Sequence, residues 1–349
     1  MKAKLLNDLD ACIISSRTNK LYFCNYTTSN GLLILTNKND YLLTDFRYIE
    51  EAEELLGPLG YTIIDYKQEE LSETLNKILT SEKVTTVGIE DEVLHTSYQK
   101  LAFALQGFTV KDISKKINEL RAVKTDDEIN LIRYAQSINE KALDKVKGVI
   151  RHGITERDLS IELKYQLLKH GADDFAFEPI VAFGTDSSKP HCMLSDKKLE
   201  NGDVVMLDFG AKYKNYCSDM TRMLCVGKPS QETVSAYNLV LKAQNAALSL
   251  IKDGVCAKEV DFVVREIFTA NGVAEKFGHG LGHGVGLDIH ELPNLAKTSE
   301  DILKKNMVVT VEPALYFKDG FGIRIEDMVI VTKTGVENLT KADKELIIK

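Results

Sequence analysis

Proline is scarce, with 6 in 349 residues, and the 22 glycines show no periodic excess, so collagen-like and low-complexity chains are excluded. The six cysteines (Cys12, Cys24, Cys192, Cys217, Cys225, Cys256) include no CxxC pair and no regular spacing. Neither a zinc knuckle nor a disulfide framework is indicated, and reduced thiols are expected. No run approaches the roughly 20 apolar residues of a bilayer span, and Asp8 and Asp10 stand where a secretory signal would be apolar. A cytoplasmic protein without a membrane partner is expected. Positive charge is in the minority, 44 Lys and Arg against 52 Asp and Glu, for a net charge of −8. Such a chain repels phosphate backbones, so nucleic acid is not an expected partner.

What is present is an ordinary globular composition, 44% hydrophobic and 28% charged, long enough for roughly two domains. The apolar run 31–35, the turn residues 37–40 and the run from Tyr41 to Thr44 read as a hairpin. Helix-like stretches from Tyr48 to Leu56 and Leu71 to Leu79 alternate with strand-like ones from Tyr61 to Tyr66 and Thr85 to Ile89, which predicts an α/β layered domain. Between Asp112 and Lys124 the chain becomes strongly charged, and Thr125 with Glu128 forms a capping box before apolar residues at helical spacing. The domain boundary is placed there, giving 1–120 and 121–349. A second start signal, Thr155 with Asp158, opens another helix that Gly171 stops. Beyond it, strands are expected over Phe175–Phe183, Val204–Lys212, Cys217–Val226, Val308–Tyr316 and Ile323–Thr332, with helices near Glu232–Ile251 and Lys258–Ala270.

Five potential ligands stand out in this second part. Asp208 ends the apolar run Val204 to Leu207, where an unpaired carboxylate would be costly. Asp219 follows eleven residues later, and an antiparallel pairing of the two strands would set both carboxylates on one side at one level, a geometry that asks for a cation. Three of the seven histidines, His279, His283 and His290, lie within twelve residues among five glycines from Gly278 to Gly286. Glycine permits close backbone approach to a bound group. Glu312 and Glu326 each sit in a further β-like apolar run. Taken singly, each carboxylate also fits an ion pair and the histidines fit an ordinary loop; jointly they describe a metal site. Carboxylate-dominated donors suit Mn²⁺, with Co²⁺ or Zn²⁺ as alternatives, and four carboxylates can balance two dications. Two such ions can hold a water as hydroxide and polarise a carbonyl, as amide hydrolysis requires.

The order and wording of these blocks resemble the pita-bread metallopeptidases: methionine aminopeptidase, aminopeptidase P and prolidase. The blocks are Val-Met-Leu-Asp-Phe-Gly (205–210), Ser-Asp-Met-Thr-Arg (218–222), the run from His279 to Glu291, Val-Glu-Pro-Ala (311–314) and Arg-Ile-Glu-Asp-Met-Val (324–329). The run from His279 to Glu291 follows the aminopeptidase P and prolidase pattern rather than that of methionine aminopeptidase. Residues 43–48, Leu-Thr-Asp-Phe-Arg-Tyr, look like the creatinase-type N-terminal domain of the proline-specific members. The resemblance implies an α/β creatinase-like domain followed by an α+β pita-bread catalytic domain. It implies a dinuclear peptidase that cleaves between an N-terminal residue and a following proline, as dipeptidase or aminopeptidase, with a metal-bridging hydroxide as nucleophile. Asp208 would bind one metal, His283 and Glu312 the other, and Asp219 and Glu326 would bridge. Glu312 would also accept the water proton. His191 would stand beside the substrate, His279 and His290 would face the scissile oxygen or the proline, and Arg324 would orient a carboxylate. For His191 an exposed loop position also fits, and for Arg324 a plain ion pair with Asp219 or Glu326. His95, His152 and His170 match no pattern and read as surface residues, and Cys192 and Cys217 as ordinary small side chains. The family's habit implies a homodimer. The other readings are a methionine aminopeptidase-like activity and a non-catalytic peptide-binding protein.

Overall fold

The computed structural model describes residues 1–67, 70–91 and 95–348, the side chains of 95, 347 and 348 excepted. The chain divides into two compact units, Met1–Arg121 and Ala122–Lys349. Among the described residues no helix is long and apolar enough to cross a membrane.

The first unit runs α1 (Lys2–Leu5), β1 (Ala11–Ile14), α2 (Arg17–Cys24), β2 (Leu32–Thr36), β3 (Asp40–Thr44), α3 (Ile49–Leu56), β4 (Tyr61–Asp65), α4 (Leu71–Ser81), β5 (Thr86–Ile89), α5 (His95–Ala104), β6 (Thr109–Asp112) and α6 (Ser114–Ala122). Its six strands form one mixed sheet in the order β4-β3-β2-β1-β5-β6. Every residue of β1 and β2 is buried, and alternate side chains feed opposite faces. Ala11, Ile13, Leu32 and Ile34 pack with Leu75 and Leu79 of α4, while Cys12, Ile14, Leu33 and Leu35 pack with Ala52 and Leu56 of α3 and Ile117 of α6. The hairpin expected over residues 31–44 is β2 paired antiparallel with β3.

The second unit opens with α7 (Asp126–Val146) and α8 (Glu156–Lys169). The Thr125–Glu128 box closes in both directions, whereas at α8 only Thr155 caps, its side chain accepting from the Asp158 N–H. Then follow β7 (Asp174–Phe175), β8 (Ile180–Phe183), β9 (Val204–Phe209), β10 (Ala211–Tyr213), β11 (Tyr216–Cys217), β12 (Met220–Cys225), α9 (Gln231–Leu250), α10 (Ala257–Ala270), β13 (Gly282–Gly284), β14 (Glu291–Leu295), β15 (Val308–Val311), β16 (Ala314–Tyr316), β17 (Gly322–Arg324), β18 (Asp327–Val331), β19 (Val336–Asn338) and β20 (Ile347–Ile348). Two larger sheets, β20-β12-β9-β8 and β14-β13-β15-β18-β19, carry the unit. Val204, Met206, Val309, Val311 and Val329 pack with α9 and α10 in one core, and Val205, Leu207 and Phe209 pack with α7 and α8 in another.

Each long strand expected after Phe175 is broken in the structure. The run 204–212 divides at Gly210, where a Cβ would stand 1.9 Å from the Ser218 carbonyl oxygen. The run 308–316 divides at Glu312 and Pro313, and 323–332 at Ile325 and Glu326. Asp219, Glu312 and Glu326 fall at such breaks and project from strand junctions, whereas Asp208 and His283 stand within the ladders of β9 and β13.

Candidate active site

Residues of β9 alternate, so Asp208 continues the face of Val204 and Met206 and ends it. Its cross-strand partner is Thr221, not Asp219. Asp219 lies two residues before Thr221, so the two aspartates share a face but are offset, which corrects the expectation of directly opposed carboxylates. A hydroxyl stands where a second negative charge was expected: Thr221 Oγ1 donates to Glu326 Oε2 at 2.8 Å and accepts from Arg324 Nε at 3.1 Å. The Glu326 N–H bonds the Thr221 carbonyl at 3.2 Å, fixing the β17–β18 junction against β12.

His283 reaches the same place from β13. Its Nδ1 lies 3.0 Å from the Gly284 carbonyl oxygen, which can only accept, so Nδ1 carries the proton and Nε2 presents a lone pair. That lone pair faces Asp219 Oδ2 and Glu312 Oε1, each at 3.6 Å. Burial, then the nearby His290, lowers the His283 pKa to about 4, so the imidazole is neutral and these contacts are not ion pairs. Asp219, His283 and Glu326 each offer a ligand atom within 4.8 Å of the others. Burial and then Glu326 push the Asp219 and Glu312 carboxyls well above the carboxylate range, and burial and then Asp208 push Glu326 up to about 8. Asp219 Oδ1 is buried without a hydrogen-bond partner among the described residues. An orphan carboxylate oxygen, a bare imidazole lone pair and carboxyls that resist ionising together all fit a bound cation. Glu312 and Asp208 lie outside the tight three-ligand group; Asp208 pairs instead with Arg324.

The surrounding residues form a hydrogen-bond chain. Arg324, 4 % exposed, also donates to the Tyr316 hydroxyl at 2.6 Å and reaches the Pro190 carbonyl at 3.5 Å. The sequence reading gave Arg324 a carboxylate to orient, with an ion pair to Asp219 or Glu326 as the alternative; its ion partner is Asp208, on β9, which β17 also touches. Tyr316 stands 3.2 Å from His279 Nε2, and His279 Nδ1 is 2.7 Å from the Gly280 carbonyl. Gly280 must accept, so His279 Nδ1 is the donor, and the ring, with its pKa lowered by burial to about 4, accepts a hydrogen bond from the Tyr316 hydroxyl at Nε2. Both nitrogens of His279 are therefore engaged, and neither offers a proton to a substrate oxygen in this arrangement. His290 is exposed and sits edge-on to His283, ring centroids 4.3 Å apart. His191 is exposed next to Pro190, and its charge bears on His279 and His290.

Sequence reasoning missed Tyr316 and Thr221. Tyr316 pairs with Gly322 and so shares a face with Arg324, and Thr221 shares one with Asp219; strand parity was the available signal. Burial pushes the Cys217 thiol up to about 12 and raises that of Cys192, which suits unreactive thiols. His152 is exposed, but His170 is half-buried at the end of α8, contrary to a surface reading, and the side chain of His95 lies outside the described residues.

Buried carboxylates around a neutral imidazole, at the junctions of two sheets, define a metal-dependent hydrolase. A family profile described as metallopeptidase family M24 matches residues 130–333, and one described as the Creatinase/Prolidase N-terminal domain matches residues 4–123. An Xaa-Pro dipeptidase of Pyrococcus horikoshii is 34% identical over 98% of this chain and 95% of its own. Two solved structures superpose along the whole chain. An Xaa-Pro dipeptidase from Bacillus anthracis has a TM-score of 0.94 at 37% identity, covering 100% of this chain and 99% of that one. An X-Pro aminopeptidase from Thermotoga maritima has a TM-score of 0.91 at 35% identity, with the same coverage. The chain belongs to metallopeptidase family M24, in its aminopeptidase P and prolidase branch, with a creatinase-type N-terminal domain before a pita-bread catalytic domain. It is a metallo-exopeptidase, a hydrolase.

Proposed function

We propose that the protein hydrolyses the bond between an N-terminal residue and a following proline, using two divalent metal ions held by Asp208, Asp219, His283, Glu312 and Glu326. The observation that carries the reading is the buried, partnerless Asp219 Oδ1 beside the lone pair of His283. The similar dipeptidase and aminopeptidase support the substrate class. When bound, the ions supply a water acidified towards neutral pH and a Lewis acid for the carbonyl. Mn²⁺ matches the carboxylate-rich donor set.

Glu312, with its side chain 18 % exposed, takes the proton of the attacking water and returns it to the leaving proline nitrogen. His290 donates to the oxygen of the scissile carbonyl as it gains charge. His279, engaged at both nitrogens, acts as a fixed wall held by Tyr316, and Arg324 holds Asp208 in place. His191 borders the substrate. Proline in the second position offers no amide N–H and a fixed φ, so recognition rests on shape. The reading extends to a cytoplasmic homodimer.

The test is hydrolysis of Ala-Pro and of a longer Xaa-Pro-Xaa peptide by the purified protein with Mn²⁺ and with chelator. Chelator-sensitive cleavage is expected; the dipeptide alone marks a dipeptidase and the longer peptide an aminopeptidase. Cleavage of neither, with metal bound, overturns the reading in favour of a peptide-binding protein.

A further inference from the structure

The residue whose side chain lies beside His283 is carried by a segment with little regular structure of its own, from Val285 to His290. What holds this segment comes from far away in sequence. Lys124, its side chain 1% exposed, places Nζ 3.0 Å from Glu291 Oε2, and the Glu291 side chain is itself 5% exposed. The other oxygen, Oε1, accepts from the Asp288 N–H at 3.0 Å. Gly286 lies against the same carboxylate so closely that a Cβ there would stand 2.5 Å from Oε2. Gly286 in turn accepts from the Cys217 N–H at 2.7 Å and donates to the Asp288 carbonyl at 3.1 Å.

The other end of the pair is equally fixed. The Lys124 N–H bonds the Asn306 carbonyl at 3.0 Å, Asn306 Nδ2 donates back to the Lys124 carbonyl at 3.3 Å, and Val123 bridges to Met307 at the start of β15. That strand leads directly to Glu312. Both charged ends of the pair are buried, and removing one partner of a buried ion pair is costly, which makes the pair a firm link rather than a surface ornament. Glu291 adjoins His290 and pairs across the ladder with Gly284, next to His283.

We infer that Lys124 and Glu291 are positioning residues that hold His290 over the metal-ligating imidazole of His283. The pair touches neither substrate nor metal and acts through the loop it clamps. The inference rests on the peptidase reading for its effect on turnover, but its structural core is independent of it.

The experiment compares Lys124→Met, Lys124→Arg and the double variant Lys124→Met with Glu291→Gln. It reads kcat and KM on Ala-Pro, bound metal, Tm, and the imidazole ¹H–¹⁵N spectrum of the metal-free protein. Lys124→Met is expected to lower kcat at least tenfold with KM within twofold and metal content unchanged, and to shift the His290 ring signals while those of His279 stay. Lys124→Arg should keep kcat. The double variant, in which neither charge of the pair remains, should keep the low kcat and the shifted His290 signals, and it supplies the answer where the single variant fails to fold. The inference is overturned if His290 signals and kcat are unchanged in Lys124→Met, or if both return to wild type in the double variant. A wild-type protein inactive on Ala-Pro sinks the function reading alone, because the ring signals still decide whether Lys124 places His290.

Discussion

Glu326 shows what crowding does to a single carboxyl: burial, then the charge of Asp208, holds its pKa at about 8 instead of the usual 4.5. The folded, metal-free chain therefore keeps a proton that the unfolded chain releases, and stability present at low pH is lost as pH rises towards 8. His279 and His283, held near 4 by burial, and His290, also lowered, act in the opposite sense, but their contribution is complete once pH passes their ordinary 6.5. Between about pH 7 and 8 the carboxyl effect should stand alone at this site, costing about 1 kcal/mol per retained proton over that unit. Calorimetry of the metal-free protein should show Tm falling across this window. Saturating Mn²⁺, which displaces those protons, should remove or reverse the fall. A metal-free Tm that rises from pH 7 to 8 contradicts the crowded arrangement. Thr221 supplies the matching test of orientation. Thr221→Val keeps the shape but deletes the donor to Glu326 and should weaken Mn²⁺ binding by about 10–100-fold, with Thr221→Ser restoring it, as read by competition with a chelating dye.

At the scale of elements, the site depends on strands brought closer than side chains usually allow. Gly282 opens β13 against β15, and a Cβ there would stand 2.1 Å from the Thr310 carbonyl oxygen. Gly282→Ala should push β13 away, carrying His283 from Glu312. It should lower stability by about 1–3 kcal/mol and reduce metal affinity in whatever fraction folds, measured by denaturant unfolding and by metal titration. The sequence exposed the elements whose burial follows a period. Helices α9 and α10 lie within one residue of their expected bounds, and the capped start of α7 was explicit in Thr125 and Glu128. It concealed α2, because the buried positions there include Asn19 and Lys20, satisfied by partners that no local pattern announces. β13 is hidden for a different reason: glycines score as loop, and only the neighbouring β14 and β15 make them a strand. The proposed ligands were legible as carboxylates and a histidine in apolar or glycine-rich runs. Their offset and the role of Tyr316 were not, because both depend on register across strands distant in sequence.

The whole molecule divides its apolar burial between two units that share no ligand. The sheet of the first is closed by Leu75, Leu79, Leu33 and Leu35 among others, whereas all five proposed metal ligands, 208 to 326, belong to the second. A ligand that binds only the folded form stabilises whatever unfolds together with its site, by about 2.7 kcal/mol at a hundred times its Kd. Separate cores predict that this stabilisation stops at the unit boundary. Hydrogen exchange with and without Mn²⁺ at that excess should slow the amides of β9, β12, β15 and β18 that exchange only by global opening, by about a hundredfold. The amides of β1, β2 and β5 should exchange at unchanged rates. Equal slowing in both sets would mean that the chain opens as one cooperative body, and that the metal centre stabilises the N-terminal sheet as much as its own.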